Sequence, residues 1–157
     1  MRKIILSFFF LGYAPFFPGT AGSAGAAGVY IALRYLGVDS PWCFLSLSGV
    51  FFCLTALLGR WAVRFYGKPD PRQVVSDEVA GYFVSASLFI RVAPLTGAAL
   101  AFVLFRFFDI VKPPPCRRLE KLPHGYGIAA DDIMAGLYAN LLLHAALLVC
   151  RKLGITL

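Results

Sequence analysis

Phe105-Arg106-Phe107-Phe108-Asp109-Ile110-Val111-Lys112-Pro113-Pro114-Pro115, followed by Cys116-Arg117-Arg118-Leu119-Glu120-Lys121-Leu122-Pro123-His124-Gly125-Tyr126-Gly127-Ile128-Ala129-Ala130-Asp131-Asp132, is the stretch on which the reading of the chain turns. Arg106, Asp109 and Lys112 recur every three residues, which on a helix stacks two cations and a carboxylate on one face. Ordinary core does not carry such a face. Three consecutive prolines end the helix, because proline lacks an N–H and restricts the residue before it. A basic loop follows and closes on Asp131-Asp132, where a long apolar segment begins.

The rest of the chain says what surrounds this stretch. At 157 residues it is one domain, residues 1–157, with room for about five or six helices. It is 59% hydrophobic and 15% charged, with a mean hydropathy of +0.75, whereas globular domains average about 25% charged. The surplus apolar surface points to lipid, and the net charge of +7 suits an anionic membrane surface better than nucleic acid. Cys43, Cys53, Cys116 and Cys150 are scattered, with no Cys-x-x-Cys pair, and read as small core residues. His144 reads as a helix-packing polar group, and His124 as turn or site.

Taken in order, Met1-Arg2-Lys3 and the apolar run after it resemble a signal peptide, but the run continues through Pro15 and Phe17. Residues 4–17 are therefore expected to form an interfacial or partly embedded segment. Pro18-Gly19-Thr20 opens a first apolar segment reaching about Leu36, with Thr20 as its N-cap. Its exposed first-turn N–H groups could receive an anion, while Gly19, Gly22, Gly25 and Gly28 suit close helix packing. Trp42 to Leu58 is a second span. Arg60, Arg64, Lys68 and Arg72 then form a basic loop ending at Ser76-Asp77-Glu78. Val79–Ile90 and Leu95–Phe105 read as a hairpin turning near Arg91-Pro94, with a single helix broken at Pro94 as the competitor. Ile133–Cys150 is the last span, closed by Arg151-Lys152. The expected fold is an all-α integral membrane bundle of about four to five embedded helices, some short.

An N-terminus on the cytoplasmic side puts eleven of the fifteen Lys and Arg residues inside and Arg34, Arg91, Arg151 and Lys152 outside. The same alternation brings Thr20 and Ser23, Asp77 and Glu78, Arg106 to Lys112, and Asp131 and Asp132 to one level. Asp39, Asp70 and Glu120 read as solvated loop residues. Five carboxylates gathered at a membrane boundary repel one another unless a cation sits among them. Oxygen ligands without Cys or His favour magnesium or manganese over zinc. Arg106 and Lys112 beside that ion suit an anionic phosphate, and together they describe a metal-dependent phosphate site facing the cytoplasm.

Three blocks carry a resemblance. They are Pro18-Gly19-Thr20-x-Gly22-Ser23; Ser76-Asp77-Glu78-Val79-x-Gly81; and Phe105-Arg106-x-Phe108-Asp109-x-x-Lys112-Pro113-x-Pro115, continuing to Gly125-x-Gly127 and Asp131-Asp132-x-x-Ala135-Gly136. From about residue 14 to 140 the chain resembles the phosphatidylglycerophosphatase A family. Its third block is long and specific, and Tyr13-Ala14-Pro15-Phe16-Phe17 departs from the family's spacing. The resemblance implies a multi-pass enzyme of the bacterial inner membrane that uses Mg2+ to remove the terminal phosphate of phosphatidylglycerophosphate, leaving phosphatidylglycerol.

On that reading Asp77, Glu78, Asp109, Asp131 and Asp132 hold one or two Mg2+, while Arg106 and Lys112 clamp the phosphomonoester. Thr20 and Ser23 are secondary phosphate contacts. Attack by water and an aspartyl-phosphate intermediate both remain open. The rival class, a membrane transporter or ion-binding scaffold with an acidic relay, wants carboxylates near mid-bilayer in at least two spans, and no apolar segment carries one at its centre.

Overall fold

Proline sets the helix starts. Pro18, Pro41 and Pro94 each occupy the first helical turn, where a missing N–H costs nothing and the fixed φ is already helical. The structure, a computed structural model, describes residues 1–88, 92–123 and 125–152, apart from the side chain of Arg151. Within them lie α1 (Arg2–Leu6), a 3-10 turn (Leu11–Tyr13), α2 (Pro18–Tyr35), α3 (Pro41–Tyr66), α4 (Ser76–Ala86), α5 (Pro94–Val111), α6 (Cys116–Leu119) and α7 (Gly125–Lys152). The fold is all-α. Arg91 and His124, each given a place in the sequence reading, fall outside the described residues.

Among the described residues, three helices are long and apolar enough to cross a membrane: α3, α5 and α7. That is fewer than the four to five embedded helices expected. α4 is the reason. Its 11 residues extend about 16 Å at 1.5 Å per residue, roughly half of a 30 Å hydrocarbon layer. It is a half-helix enclosed by the others, packing against α2, α3, α5 and α7. Val79, Ala80, Tyr82, Phe83 and Ala86 on it are all buried.

A helix that ends inside a membrane protein must have its last carbonyls satisfied by protein. Asn140 on α7 does this, donating through Nδ2 to the carbonyls of Val84 (2.9 Å) and Ser85 (3.2 Å). The sequence reading passed over this residue. The two helices also touch through backbone: a Cβ on Gly136 would collide with the Gly81 carbonyl, and one on Gly81 would meet the Asp132 carbonyl oxygen and the Phe105 ring. Small residues at such crossings permit approach that larger ones forbid. This approach sets the starts of α4 and α7 side by side.

Several boundaries differ from expectation. α3 continues to Tyr66, so Arg60 and Arg64 are on a helix; the stop comes at Gly67, whose φ of +70° gives the left-handed C-terminal turn. The hairpin reading holds over the single broken helix, since α4 and α5 are separate and Pro94 starts the latter. α5 runs past Phe105 to Val111, and α7 starts at Gly125, so Asp131 and Asp132 lie in its second turn and not ahead of it. Thr20 is not an N-cap: Phe17 takes that place with φ 51°, leaving Thr20 within the first turn of α2. The glycine stripe of α2 does not face one partner, since Gly22 meets Val75, Gly25 meets Leu11 and Phe8, and Gly28 meets nothing.

The cysteines are all free; Cys116 is buried, Cys43 and Cys150 are half-buried, and Cys53 is exposed on α3. Large apolar side chains stay exposed along the long helices, among them Trp42, Leu57, Val103, Ile110, Leu141 and Leu148. Contiguous exposed apolar surface of this kind is what a lipid environment covers.

Candidate active site

Successive long helices run in alternate directions, so one end of the bundle collects the starts of α2, α4 and α7 with the ends of α3 and α5. There they enclose a cavity of about 590 Å³. Its wall carries seven carboxylates (Asp70, Asp77, Glu78, Asp109, Glu120, Asp131, Asp132) and three cations (Arg72, Arg106, Lys112).

The floor is built on the first turn of α4. The Ser76 and Thr55 hydroxyls lie 2.6 Å apart, pinning this turn to α3, and the Val75 N–H donates to the Leu6 carbonyl at 2.8 Å. Asp77 and Glu78 follow, where the helix dipole favours negative charge. With Asp132 from α7 they form a cluster in which one ligand oxygen from each residue lies within 4.8 Å of the others. Asp77 Oδ1 and Glu78 Oε2 are buried and accept no hydrogen bond. Burial, reinforced by the neighbouring Glu78 and Asp132 charges, pushes the Asp77 carboxyl well above the usual range. Glu78 is raised to about 7, again mainly by burial; its hydrogen bond to Asp77 and the Arg106 charge oppose the shift, and the Asp109 charge adds to it.

Unsatisfied buried acceptors cost free energy, and three carboxylates in contact repel. A divalent cation removes both penalties, and oxygen donors alone suit a hard ion such as magnesium or manganese. The residues therefore fit a metal, with Asp77, Glu78 and Asp132 as the set that converges.

The cations sit beside this cluster. On α5, Arg106 Nη1 lies 2.6 Å from Asp109 Oδ2, an ion pair without hydrogen-bond alignment, and Arg106 Nε has no partner. Gly19 makes room for both charges, since a Cβ there would strike the Glu78 carboxylate and come within 3.3 Å of Arg106 Nη1. Lys112 does not continue the helical face of Arg106 and Asp109. It caps α5 in the left-handed region (φ 48°, ψ 63°), ahead of the prolines, and so turns toward α7. Its Nζ donates to Asp131 Oδ2 at 2.7 Å and lies 3.5 Å from Glu120. Burial would lower the Lys112 pKa, but these carboxylates outweigh it and the net shift is upward, so the ammonium stays charged. Tyr138 on α7 holds the proline loop in place by donating to the Pro114 carbonyl at 2.6 Å.

The cavity thus gathers Asp77, Glu78, Arg106, Asp109, Lys112, Asp131 and Asp132. Asp131 is paired with Lys112 and stands outside the three-carboxylate cluster. Thr20 and Ser23 do not line the cavity; Ser23 is buried and its hydroxyl donates to the Gly19 carbonyl at 2.8 Å. Their neighbours Pro18 and Gly19 line it instead.

Asp70 and Glu120 are exposed residues of the connections, as expected, and in addition they line the cavity. The signal was the shortness of the connections: nine residues separate α3 from α4, too few to leave the helix ends they join. Arg118 does stay outside, exposed on α6. Asp39 is also away from the site, paired with Arg34 at 2.7 Å at the opposite end.

The helix ends of an α-helical membrane fold here gather carboxylates, three of which could hold a metal ion, around two half-buried cations, an arrangement that suits an anionic ligand. Comparison with known proteins agrees. The sequence profile of phosphatidylglycerophosphatase A matches residues 4–147, and the chain belongs to that family of phospholipid phosphatases. It is 38% identical over 130 residues to the phosphatidylglycerophosphatase A of Haemophilus influenzae, covering 82% of this chain and 77% of the relative. It is 32% identical over 127 residues to the protein of that name from Escherichia coli, covering 80% and 71%. A Bacteroides thetaiotaomicron protein provisionally named a phosphatidylinositol-3-phosphatase is 34% identical over 145 residues, covering 86% of each chain. No solved structure matches the chain.

Proposed function

We propose that this chain removes the terminal phosphate of phosphatidylglycerophosphate in a magnesium-dependent hydrolysis at the cytoplasmic face of a bacterial inner membrane. The observation that carries the reading is the cluster of Asp77, Glu78 and Asp132 with two orphaned oxygens, in one cavity with Arg106 and Lys112. Seven carboxylates against three cations would repel a phosphate unless cations neutralise the excess. A divalent ion there supplies that charge and activates water.

The chain's own residues do the rest. Arg106, with unbonded Nε, and Lys112 grip the non-bridging oxygens of the phosphomonoester. Asp109 orients Arg106, and Asp131 holds Lys112. In the metal-free protein Glu78 is raised to about 7, mainly by burial, so protons occupy the cluster until a cation displaces them. The cytoplasmic orientation is supported by the basic residues crowding the site end, from Arg2 and Lys3, stacked on Trp61 and Phe65, to Lys121.

Phosphatidylinositol-3-phosphate is the second substrate to test, because the Bacteroides relative carries that name. Purified protein in mixed micelles is given each lipid with Mg2+ or EDTA, and phosphate release is measured. Faster release from phosphatidylglycerophosphate, abolished by EDTA and restored by Mg2+, is the expected result. Preference for the inositol lipid would move the substrate assignment, and release unaffected by EDTA would remove the metal. A single turnover in 18O-water separates direct water attack, which labels the first phosphate released, from an aspartyl-phosphate route.

A further inference from the structure

The cavity is larger than a phosphate needs, and its cations are not equivalent. Arg106 is paired with Asp109, and Lys112 with Asp131 and Glu120. Arg72 also lines the cavity, and among the described residues it is the one lining cation with no carboxylate in ion-pair range. Its recorded contact is a long 3.4 Å bond from Nη2 to the Pro15 carbonyl. The guanidinium is exposed and faces the same space as the catalytic floor.

Position adds to charge. Pro15 begins the Pro15-Phe16-Phe17 segment, in which Phe16 is 79% and Phe17 is 77% exposed, and Phe17 is itself part of the cavity wall. Phe9, Phe10 and Tyr13 are exposed on the same N-terminal segment. Aromatic side chains clustered on the outside of a membrane protein settle at the headgroup level. Arg72, hydrogen-bonded to this segment, sits at the cavity mouth at that level. A lipid whose headgroup ends in a phosphomonoester must place its phosphodiester there while the monoester reaches the floor.

We propose that Arg72 clamps the internal phosphodiester of the substrate, so that the cavity recognises lipids carrying two phosphates, one at the mouth and one at the floor. This rests on the reading of the floor as a phosphomonoester site. The arginine fork matches the two non-bridging phosphodiester oxygens, which a lysine cannot reproduce. Arg72 is thereby a specificity residue, remote from the bond that breaks. The shared chemistry is common to phosphatidylglycerophosphate and phosphatidylinositol-3-phosphate.

The test compares the full-length protein with Arg72→Gln and Arg72→Lys in mixed micelles with Mg2+. For Arg72→Gln the KM for phosphatidylglycerophosphate should rise about tenfold, the loss of one charge-assisted hydrogen-bond pair, with kcat within about threefold. Inhibition by phosphatidylglycerol, which keeps the phosphodiester and lacks the monoester, should weaken by a similar factor. Inhibition by inorganic phosphate, which needs only the floor, should not move, and Arg72→Lys should recover part of the loss. An unchanged KM, absent phosphatidylglycerol inhibition in the unsubstituted protein, or an equal weakening of phosphate inhibition each overturns the clamp while leaving the floor intact. A protein that releases phosphate from neither lipid fails at the earlier reading, and the clamp falls with it.

Discussion

The two ends of the bundle handle buried charge in opposite ways. At the far end, Arg34, 7% exposed, gives Nε to Asp39 at 2.7 Å, Nη1 to the Tyr30 hydroxyl at 2.8 Å and Nη2 to the Val92 carbonyl at 3.3 Å. Every guanidinium nitrogen is used. At the site end Arg106 keeps an unbonded Nε, and two carboxylate oxygens beside it accept nothing. A charge buried for structure is surrounded by partners, because desolvation is otherwise uncompensated. One kept for ligands leaves donors and acceptors open. Exposure alone does not draw this line, since Arg34 and Arg106 are both largely buried.

The difference should appear most sharply on substitution in the open cluster. Asp132→Asn keeps the volume and removes a ligand charge. Phosphate release should fall at least about a thousandfold, the scale of losing a preorganised charge at the reacting group, while the protein stays folded in membranes. Activity near that of the unsubstituted protein would dissolve the metal cluster. Lys112→Ala should cost about a hundredfold in kcat/KM, through both terms, since the ammonium both binds and neutralises phosphate. A change confined to KM would make Lys112 a binding group only.

Metal and pH bear on the same cluster. In metal-free protein the folded pKa of Glu78, about 7, stands above its ordinary 4.5. Its contribution to stability is therefore fully present below about 4.5 and lost as pH rises through about 7. Mg2+ replaces the protons. Its stabilisation should be small at pH 5 and reach about 2.7 kcal/mol above pH 7 at a hundredfold excess over Kd, read as a shift in thermal midpoint between Mg2+ and EDTA. A shift independent of pH would show that protons and metal do not compete there.

How far these two ends were readable from the residues follows from what each depends on. Proline punctuation made Pro18 and Pro94 visible as boundaries, and the charged blocks exposed the floor; the stop at Gly67 was missed, because Arg60 and Arg64 ahead of it read as loop although they lie on α3. Where Asp109 and Asp132 lie follows from helix direction, which apolar alternation determines. Three features were hidden because they depend on tertiary approach. Ser23 looks like a phosphate ligand in a Thr-x-x-Ser string, but its hydroxyl satisfies its own helix. Lys112 follows the three-residue spacing, but the proline block behind it turns the backbone left-handed and sends it to Asp131. Asp70 and Glu120 have no local pattern that separates a cavity wall from a solvated loop.

The closed end predicts a purely structural effect. Arg34→Met should destabilise the protein by about 2 kcal/mol, the net worth of a few hydrogen bonds to a charged group, while Asp39, largely exposed, remains hydrated. Phosphate release per folded molecule should be unaltered. Lost turnover at full folding would mean that the two ends communicate, and the contrast between a structural end and a working end would fail.

The smallest effect is expected of Arg118→Ala, and it bears on the edge of the site. Arg118 belongs to the same basic loop as Lys112 and Glu120, carries the same charge as Arg72, and is likewise exposed. It differs in lying outside the cavity wall, which Arg72 lines. If charge near the mouth were sufficient to capture an anionic lipid, the two arginines would be interchangeable. If recognition needs a guanidinium facing the enclosed space, Arg118→Ala should change kcat/KM by less than about twofold and stability by less than about 0.5 kcal/mol, with screening by salt reducing even that. A tenfold loss would extend the site over α6 and make the basic loop part of the lipid grip.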